Sequence, residues 1–357
     1  MAADSGNRFV TVKVRNISRW IEVICELQHQ SGKIQKTGCF YEPASPWIYR
    51  GQANADWPIR SSFEVRIGEE RWKQEDEDSL KNVEDASIAI FRARAKVMGI
   101  EELYDEVDWL AQMQHYGCPT RFVDFTEVPL IALFHALDNE KEKMKPFAIY
   151  AVARDNVLGV EFWKDPYQDK PEKISDCSED LHYDLDNARK IANWLINPRL
   201  YKKPKDDTEA KMFCVYPTFA NRRLEVQSGL FLMQRHLGSS FEEDLQSVLS
   251  CQKKEACGLS QFRQNLADKS YYESLRVIKF VFSKSLRTKA RTLLHAAGIT
   301  HKTMYPDFEG MAKYVKETCF VSAKDNRIEV VALPSHPKIN MPLKLPERGV
   351  KREGGDN

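Results

Sequence analysis

Two short segments carry the residues best suited to chemistry. The first is Trp47-Ile48-Tyr49-Arg50-Gly51-Gln52, and the second is Gln114-His115-Tyr116-Gly117-Cys118-Pro119-Thr120-Arg121-Phe122-Val123-Asp124-Phe125-Thr126. Together they set arginines, amides, an aspartate and threonines beside apolar runs that read as core. Such side chains are rarely fully buried unless paired, so a cluster of them at element ends reads as a site. An arginine at a strand end can present a two-pronged fork to a phosphate or carboxylate, and the glycine after it permits close backbone approach. The same Arg50 could instead form a buried ion pair with Asp124 or meet a helix C-terminus. Thr126 reads as a helix N-cap, which would place it and Asp124 where polar ligand groups are also well received. Tyr116 could stack on a flat heterocycle or belong to the core.

A third segment runs Asn221-Arg222-Arg223-Leu224-Glu225-Val226-Gln227-Ser228-Gly229-Leu230-Phe231. Read as a strand, it puts Arg223, Glu225, Gln227 and Gly229 on one face. That face could meet solvent or floor a cleft in which Gly229 leaves room for a ligand.

These segments need elements to hold them. A strand is expected over residues 9–14, with Ser18 capping a helix over 19–28, and a short strand over 47–50. Apolar periodicity predicts helices over 78–98, closed by Gly99, and over 101–116, closed by Gly117. A helix over 126–138 follows, with Pro129 in its first turn, where no intrahelical hydrogen bond is lost. Strands are expected at 147–153, 212–216, 224–231, 276–282 and 327–333, and helices at 185–196, 241–251, 285–297 and 307–317. Residues 155–207 are polar and read as an insertion or lid. The basic, proline-bearing tail 335–357 reads as flexible. Unequal connections between strands predict an α+β fold, a single mixed domain with a mostly antiparallel central sheet flanked by helices.

Gross composition excludes more than it selects. The chain has 357 residues, enough for a core that needs no staples. Lys plus Arg is 53 against Asp plus Glu 52, so overall charge argues for neither a nucleic-acid nor a membrane partner. The cysteines lie at 25, 39, 118, 177, 214, 251, 257 and 319 without a Cys-x-x-Cys pair, which reads as reduced thiols rather than disulfides or a zinc site. No apolar run reaches membrane-spanning length, and a cytoplasmic location is expected. The dinucleotide-binding glycine motif, the P-loop, His-Glu-x-x-His and Gly-x-Ser-x-Gly are all missing.

The chain resembles the FRG domain family. Tyr49-Arg50-Gly51-Gln52 is similar to its Phe-Arg-Gly-Gln signature, and residues 114–126 resemble its Gln-His-Tyr-Gly-Leu-Pro-Thr-Arg-Leu-Leu-Asp-Trp-Thr motif. Arg223 with Gln227-x-Gly229-x-Phe231, the stretch Leu294 through Gly298-Ile299, and Tyr305-Pro306-Asp307 through Gly310 resemble its later motifs. The domain is expected to span 8–334. Its motif order is similar to that of ADP-ribosyltransferases, which implies an ADP-ribosyltransferase-like fold with NAD as substrate. On that resemblance Arg50 clamps the pyrophosphate, with Gln52, Tyr116, Thr120, Asp124, Thr126 and Arg223 around the cofactor. Gln227 takes the catalytic position, with Glu225 its competitor because it alone supplies a carboxylate. The bond between nicotinamide and ribose would break through a cation-like sugar. A glutamine there favours transfer of ADP-ribose to a nucleic-acid base over a protein acceptor. A toxin or phage-defence role, with an antitoxin or defence partner, is the setting such activities imply. The alternative is a non-catalytic module that binds a nucleotide or a partner protein.

Overall fold

The computed structural model describes residues 9–32, 47–100, 103, 105–154, 189, 192–193, 195–197, 212–217, 222–247 and 255–319. Eight strands form one mixed sheet in the order β5-β6-β3-β2-β4-β8-β1-β7. They are β1 Val10–Val14, β2 Trp47–Gln52, β3 Phe122–Thr126, β4 Phe147–Ala153, β5 Met212–Val215, β6 Gly229–Gln234, β7 Ala256–Gly258 and β8 Val277–Phe282. β1 runs parallel to both of its neighbours, β7 and β8, and the remaining pairings are antiparallel. The fold is therefore α+β with a mixed sheet. β4 is apolar and buried along its whole length, as a strand covered on both faces must be.

Helices cover both faces. α1 (Ile17–Gly32), α6 (Pro129–Leu137) and two later helices, Leu259–Asn265 and Arg287–Ala296, pack on one face around Trp20, Phe147, Phe280 and Phe282. The other face buries Ile48, Phe125, Tyr150 and Leu232 against Ile59 and Phe241. At the β5–β6–β3 end, α4 (Glu77–Val97) and α5 (Glu106–His115) close a third cluster with Trp109, Phe122 and Phe231. Between β2 and α4 lie two short helices, α2 (Ser62–Ile67) and α3 (Glu69–Gln74).

Several element ends follow from capping chemistry. Gly99 and Gly117 both adopt positive φ just past their helices, at 77° and 78°, as a C-terminal glycine should. Asn16, not Ser18, caps α1, its Oδ1 accepting from the Arg19 amide at 3.1 Å. α5 begins at Glu106, later than its periodicity suggests, because the Asp105 side chain accepts from the Asp108 amide. α6 begins at Pro129 behind Val128, which makes no side-chain cap. Thr126 is thus not an N-cap but the last residue of β3.

The expected strand over 224–231 is corrected more deeply. Arg222–Val226 forms a short helix (α7), Gln227 and Ser228 turn, and only Gly229 onward is strand. Ser228 has φ 42°, the one positive-φ non-glycine residue among those described, and it swings the chain from helix into β6. Period-two alternation of polar residues therefore misled: Arg223 and Glu225 sit on a helix. The expected strand 327–333, the tail 335–357 and nearly all of the lid 155–207 lie outside the described residues. Of the expected helix over 185–196, the described residues 189, 192, 193, 195 and 196 are helical. The short strand β7 and the helix Leu259–Asn265 had no expectation, since each is too brief to show a period.

Two local constraints hold the frame. Gly51 lies against α6 so closely that a Cβ there would sit 1.8 Å from the Ala132 carbonyl oxygen and 2.6 Å from the Ala136 amide nitrogen. The second is a buried ionic cluster. Arg121, which precedes β3, donates from Nε to Glu84 at 2.6 Å and pairs through Nη2 with the same carboxylate, on α4. Lys81 joins them, donating to the Ile196 carbonyl at 2.6 Å and lying 3.4 Å from Glu84. Arg121, Glu84 and Lys81 are all at most 5% exposed.

Glu84→Ala should leave the guanidinium of Arg121 buried without its counter-ion. The expected loss is about 3–5 kcal/mol, read from urea unfolding. A loss under about 1 kcal/mol would mean the pair is solvated. Gly51→Ala should destabilise by at least the 1–3 kcal/mol typical of overpacking, because backbone rather than a flexible side chain must move.

Candidate functional site

The sheet splits between β2 and β3. These two neighbours share a single register pair, Tyr49 with Thr126. By contrast, β2 pairs with β4 from Trp47 to Gln52, and β3 pairs with β6 from Phe122 to Thr126. Past the shared pair the facing strand edges separate, and their backbone groups lack the usual ladder. Arg50 reaches into this gap, where Nη1 donates to the Asp124 carbonyl at 2.8 Å. Its buried Nε has no hydrogen-bond partner among the described residues. Burial lowers the pKa of the guanidinium, with the nearby Asp124 charge acting in the opposite direction.

A cavity of about 270 Å³ opens here. Arg50, Gln114, His115, Asp124, Thr126, His135, Arg223 and Gln227 line it, together with the apolar Ala111, Phe125, Leu224 and Phe231. Three distant parts of the sequence thus converge on one cleft, with Arg50 from β2, Asp124 and Thr126 from β3, and Arg223 and Gln227 from α7 and its turn.

Asp124 is exposed at the cleft and is not Arg50's ion-pair partner, because Arg50 binds its backbone carbonyl instead. The carboxylate accepts from Gln114 Nε2 at 2.9 Å. Gln114 Oε1 in turn accepts from Thr120 Oγ1 at 2.5 Å and Ser62 Oγ at 3.4 Å. The Gln114-to-Asp124 spacing is therefore a self-knitting unit, in which a buried threonine orients an amide and the amide orients the carboxylate. Gln114 is one of the amides that the sequence places in this segment, but it has no role assigned there. A glutamine and an aspartate on either side of a Gly-x-Pro-Thr turn are the signal that points to it.

Arg223 stacks on Tyr305, its guanidinium carbon 4.4 Å from the ring centroid. Gln227 is buried and doubly fixed. Its Nε2 donates to the Met304 carbonyl at 2.9 Å, and its backbone carbonyl accepts from Thr126 Oγ1 at 2.7 Å. Gly229 lets α7 pack closely on the start of β6, where a Cβ would fall 2.5 Å from Leu224 Cδ1 and 3.3 Å from the Leu224 carbonyl oxygen. The segment that holds both residues, His301–Met304 and Tyr305, is anchored by Asp138. The carboxyl of Asp138 meets His301 Nε2 at 2.5 Å and accepts from Tyr305 Oη at 2.8 Å. Burial would raise the Asp138 pKa, but these two hydrogen bonds outweigh it and bring it down to about 2.

Four expected site residues do not line the cavity. Gln52 is buried on the sheet's other side, donating to the Trp57 carbonyl at 2.7 Å to hold the following loop. Thr120 reaches the cleft through Gln114, and its Oγ1 also accepts from the Phe122 amide at 3.3 Å. Tyr116 is 62% exposed, packed beside Phe91 and His115. Glu225 is exposed on α7 and is absent from the lining, so the cleft's carboxylate is Asp124.

His115 and His135 line the cavity and were not foreseen. His135 lies on the apolar helix α6, where a histidine reads as core. Burial pushes its imidazole down to about 4, aided by the positive charges of Arg223 and Arg50 and opposed by Asp124 and Asp138. Burial also lowers His115, with Arg223 acting in the same sense. Near neutral pH the cleft therefore holds a neutral His135 in the same lining as the guanidinium groups of Arg50 and Arg223.

The arrangement defines an α+β protein whose split sheet carries a polar, arginine-bearing cleft. Residues 45–145 match the family model of the FRG domain, so the resemblance carried by Tyr49-Arg50-Gly51-Gln52 and by residues 114–126 is shown over that span. No curated protein and no solved structure matches the chain. Among the described residues, no helix is long and apolar enough to cross a membrane, and no cluster of His, Cys, Asp and Glu could hold a metal ion.

The depressed His135 pKa has a signed consequence. As pH falls from 6.5 toward about 4, the unfolded chain takes up this proton before the folded protein does, so stability is lost across that window. Glu64, pushed up to about 7 by burial, acts in the opposite direction between pH 7 and 4.5. The comparison must therefore be wild type against variant at each pH. His135→Gln is expected to flatten the acid-side fall in melting temperature, whereas parallel curves would show that this ring is solvated.

Proposed function

We propose that the cleft binds NAD and that the protein transfers ADP-ribose from it to a macromolecular acceptor, a nucleic-acid base in preference to protein. The observation that carries this reading is the convergence of Arg50, Arg223, Asp124 and Gln227 on one cavity in the split sheet. Two arginines suit a pyrophosphate, and an Arg50 whose Nε has no partner is free to complete a charge-assisted bond. Phe125 and Phe231 in the lining suit a flat ring. The volume sits just under the ~300 Å³ lower end of small-molecule pockets, which fits one nucleoside-sized portion of a dinucleotide held in an open cleft.

In this reading nicotinamide leaves as a neutral base and needs no general acid. Asp124, oriented by Gln114, supplies the negative charge that steadies the cationic sugar carbon. Gln227 cannot do so, but its fixed amide positions a ribose hydroxyl or the acceptor. Transfer then suits a nucleophile already activated, such as a nucleobase. A cytoplasmic toxin or phage-defence setting belongs to the same proposal.

A second reading has its own observation. Gln227 Nε2 is already taken by the Met304 carbonyl, and Glu225 stands outside the cleft, which favours a module that binds a nucleotide without turning it over. Incubation of the protein with NAD and DNA, RNA or protein acceptors separates the two. Nicotinamide release with a modified acceptor supports transfer. A rise in melting temperature with NAD or ADP-ribose, without release, supports binding alone, and neither response sinks both. Arg50→Ala should weaken binding by roughly 10–100-fold, and Asp124→Asn should lower turnover by about 10²-fold with little change in KM.

A further inference from the structure

We infer that α4 is a self-association surface, through which two copies of this chain pack in antiparallel fashion. One face of this helix is buried through Leu80, Glu84, Ile88 and Ala95. Its opposite face leaves Val83, Ile90 and Val97 exposed at 45%, 65% and 80%, each seven residues from the next. Ala86 and Ala93 are also exposed and stand midway between them. Large residues at one heptad position and small ones at the other form a coiled-coil seam, apart from Ser79 at its N-terminal end. Among the described residues, this face contributes nothing to the monomer's own core.

The pattern is complementary to itself in one direction only. In an antiparallel pair each large residue faces a small one, so that Val83 meets Ala93 of the other copy, Ile90 meets Ala86, and Val97 meets Ser79. A parallel pair would stack large on large and alanine on alanine, leaving gaps at every second layer. Charge agrees with the antiparallel choice. The first turn of α4 presents Asp78 to solvent, while Glu77 turns inward to His236, and the last turn carries Arg94 and Lys96. Antiparallel packing sets the acidic end of each helix over the basic end of the other, and it opposes the two helix dipoles. Parallel packing would juxtapose like charges at both ends. A two-fold axis near the middle of the helix generates the whole contact, as in the commonest closed dimers.

The seam is short. A 21-residue helix is about 30 Å long, and the pair buries an area at the low end of specific interfaces. The dimer is therefore concentration-dependent, forming in the micromolar range.

Sedimentation equilibrium on the full chain tests this. Wild type is expected to pass from the mass of one chain to that of two as concentration rises through the micromolar range. Ile90→Glu should remain a monomer with an unchanged circular dichroism spectrum. Orientation is read from Ala89→Cys. Antiparallel packing brings this residue beside its own copy across the axis, so mild oxidation should give a covalent dimer. Parallel packing keeps the two cysteines on opposite flanks. A wild type that stays monomeric at every concentration overturns the inference. So does an Ile90→Glu variant whose monomer melts several degrees lower, which would show that another segment of the same chain covers the seam. Dimers without the Ala89→Cys cross-link would overturn the antiparallel arrangement.

Discussion

The rest of the site depends on one contact, the hydrogen bond from the Arg50 guanidinium to the backbone carbonyl of Asp124 across the split between β2 and β3. Two strands that diverge after one shared pair leave edge groups without partners. Backbone polar groups buried in that state are costly. Arg50 satisfies one such carbonyl while keeping its own Nε unpartnered. The guanidinium thus bridges the two strand edges and places a positive charge in the cleft lining beside Arg223 and Asp124.

That arrangement requires both sides of β2 to be specified at once. Arg50 faces the gap, and its neighbour Gly51 faces α6 with no room for a Cβ. The glycine brings α6 close enough for His135 to enter the lining, and Pro129 starts that helix early enough to place it. The signature Arg-Gly is therefore not a turn that frees the backbone for a ligand. It is mid-strand, and the close approach is that of a helix. The glycine that reads as permitting close backbone approach is also a tight packing requirement of α6.

Legibility followed period and length. β4, β1 and β8 were readable because their apolar residues are continuous or alternate over five or more positions. α4 and α5 were readable because their apolar stripes run for several turns, and their glycine ends were right. Failures cluster where a tertiary contact sets local structure. Residues 222–231 alternate like a strand, yet Leu224 fits only over Gly229, and Ser228 must adopt a positive φ to turn the chain. Arg50, Asp124, Thr126, Arg223 and Gln227 were identifiable as cleft residues because each is polar beside an apolar run. Gln52, Thr120 and Tyr116 share that appearance but serve a loop, an amide and the surface. His115 and His135 escaped notice because a histidine on an amphipathic or apolar helix has no sequence feature that marks which way it faces.

Electrostatics explains why the carboxylate in the cleft is best supplied from β3. Glu225 on α7 lies outside the cavity lining, whereas Asp124 lies within it. Asp124 stands beside two guanidinium groups and a neutral imidazole, and Gln114 fixes its direction. A carboxylate held by an amide rather than by an arginine keeps its charge unneutralised and directed. Had Arg50 bound the Asp124 side chain, the two charges would have cancelled, and the cleft would have been an internal salt bridge with no use for a ligand. Because the arginine takes the backbone carbonyl instead, positive and negative groups both remain available, some ångströms apart. Under the proposed reading, such separated charges suit a ligand with an anionic linker and a developing cation.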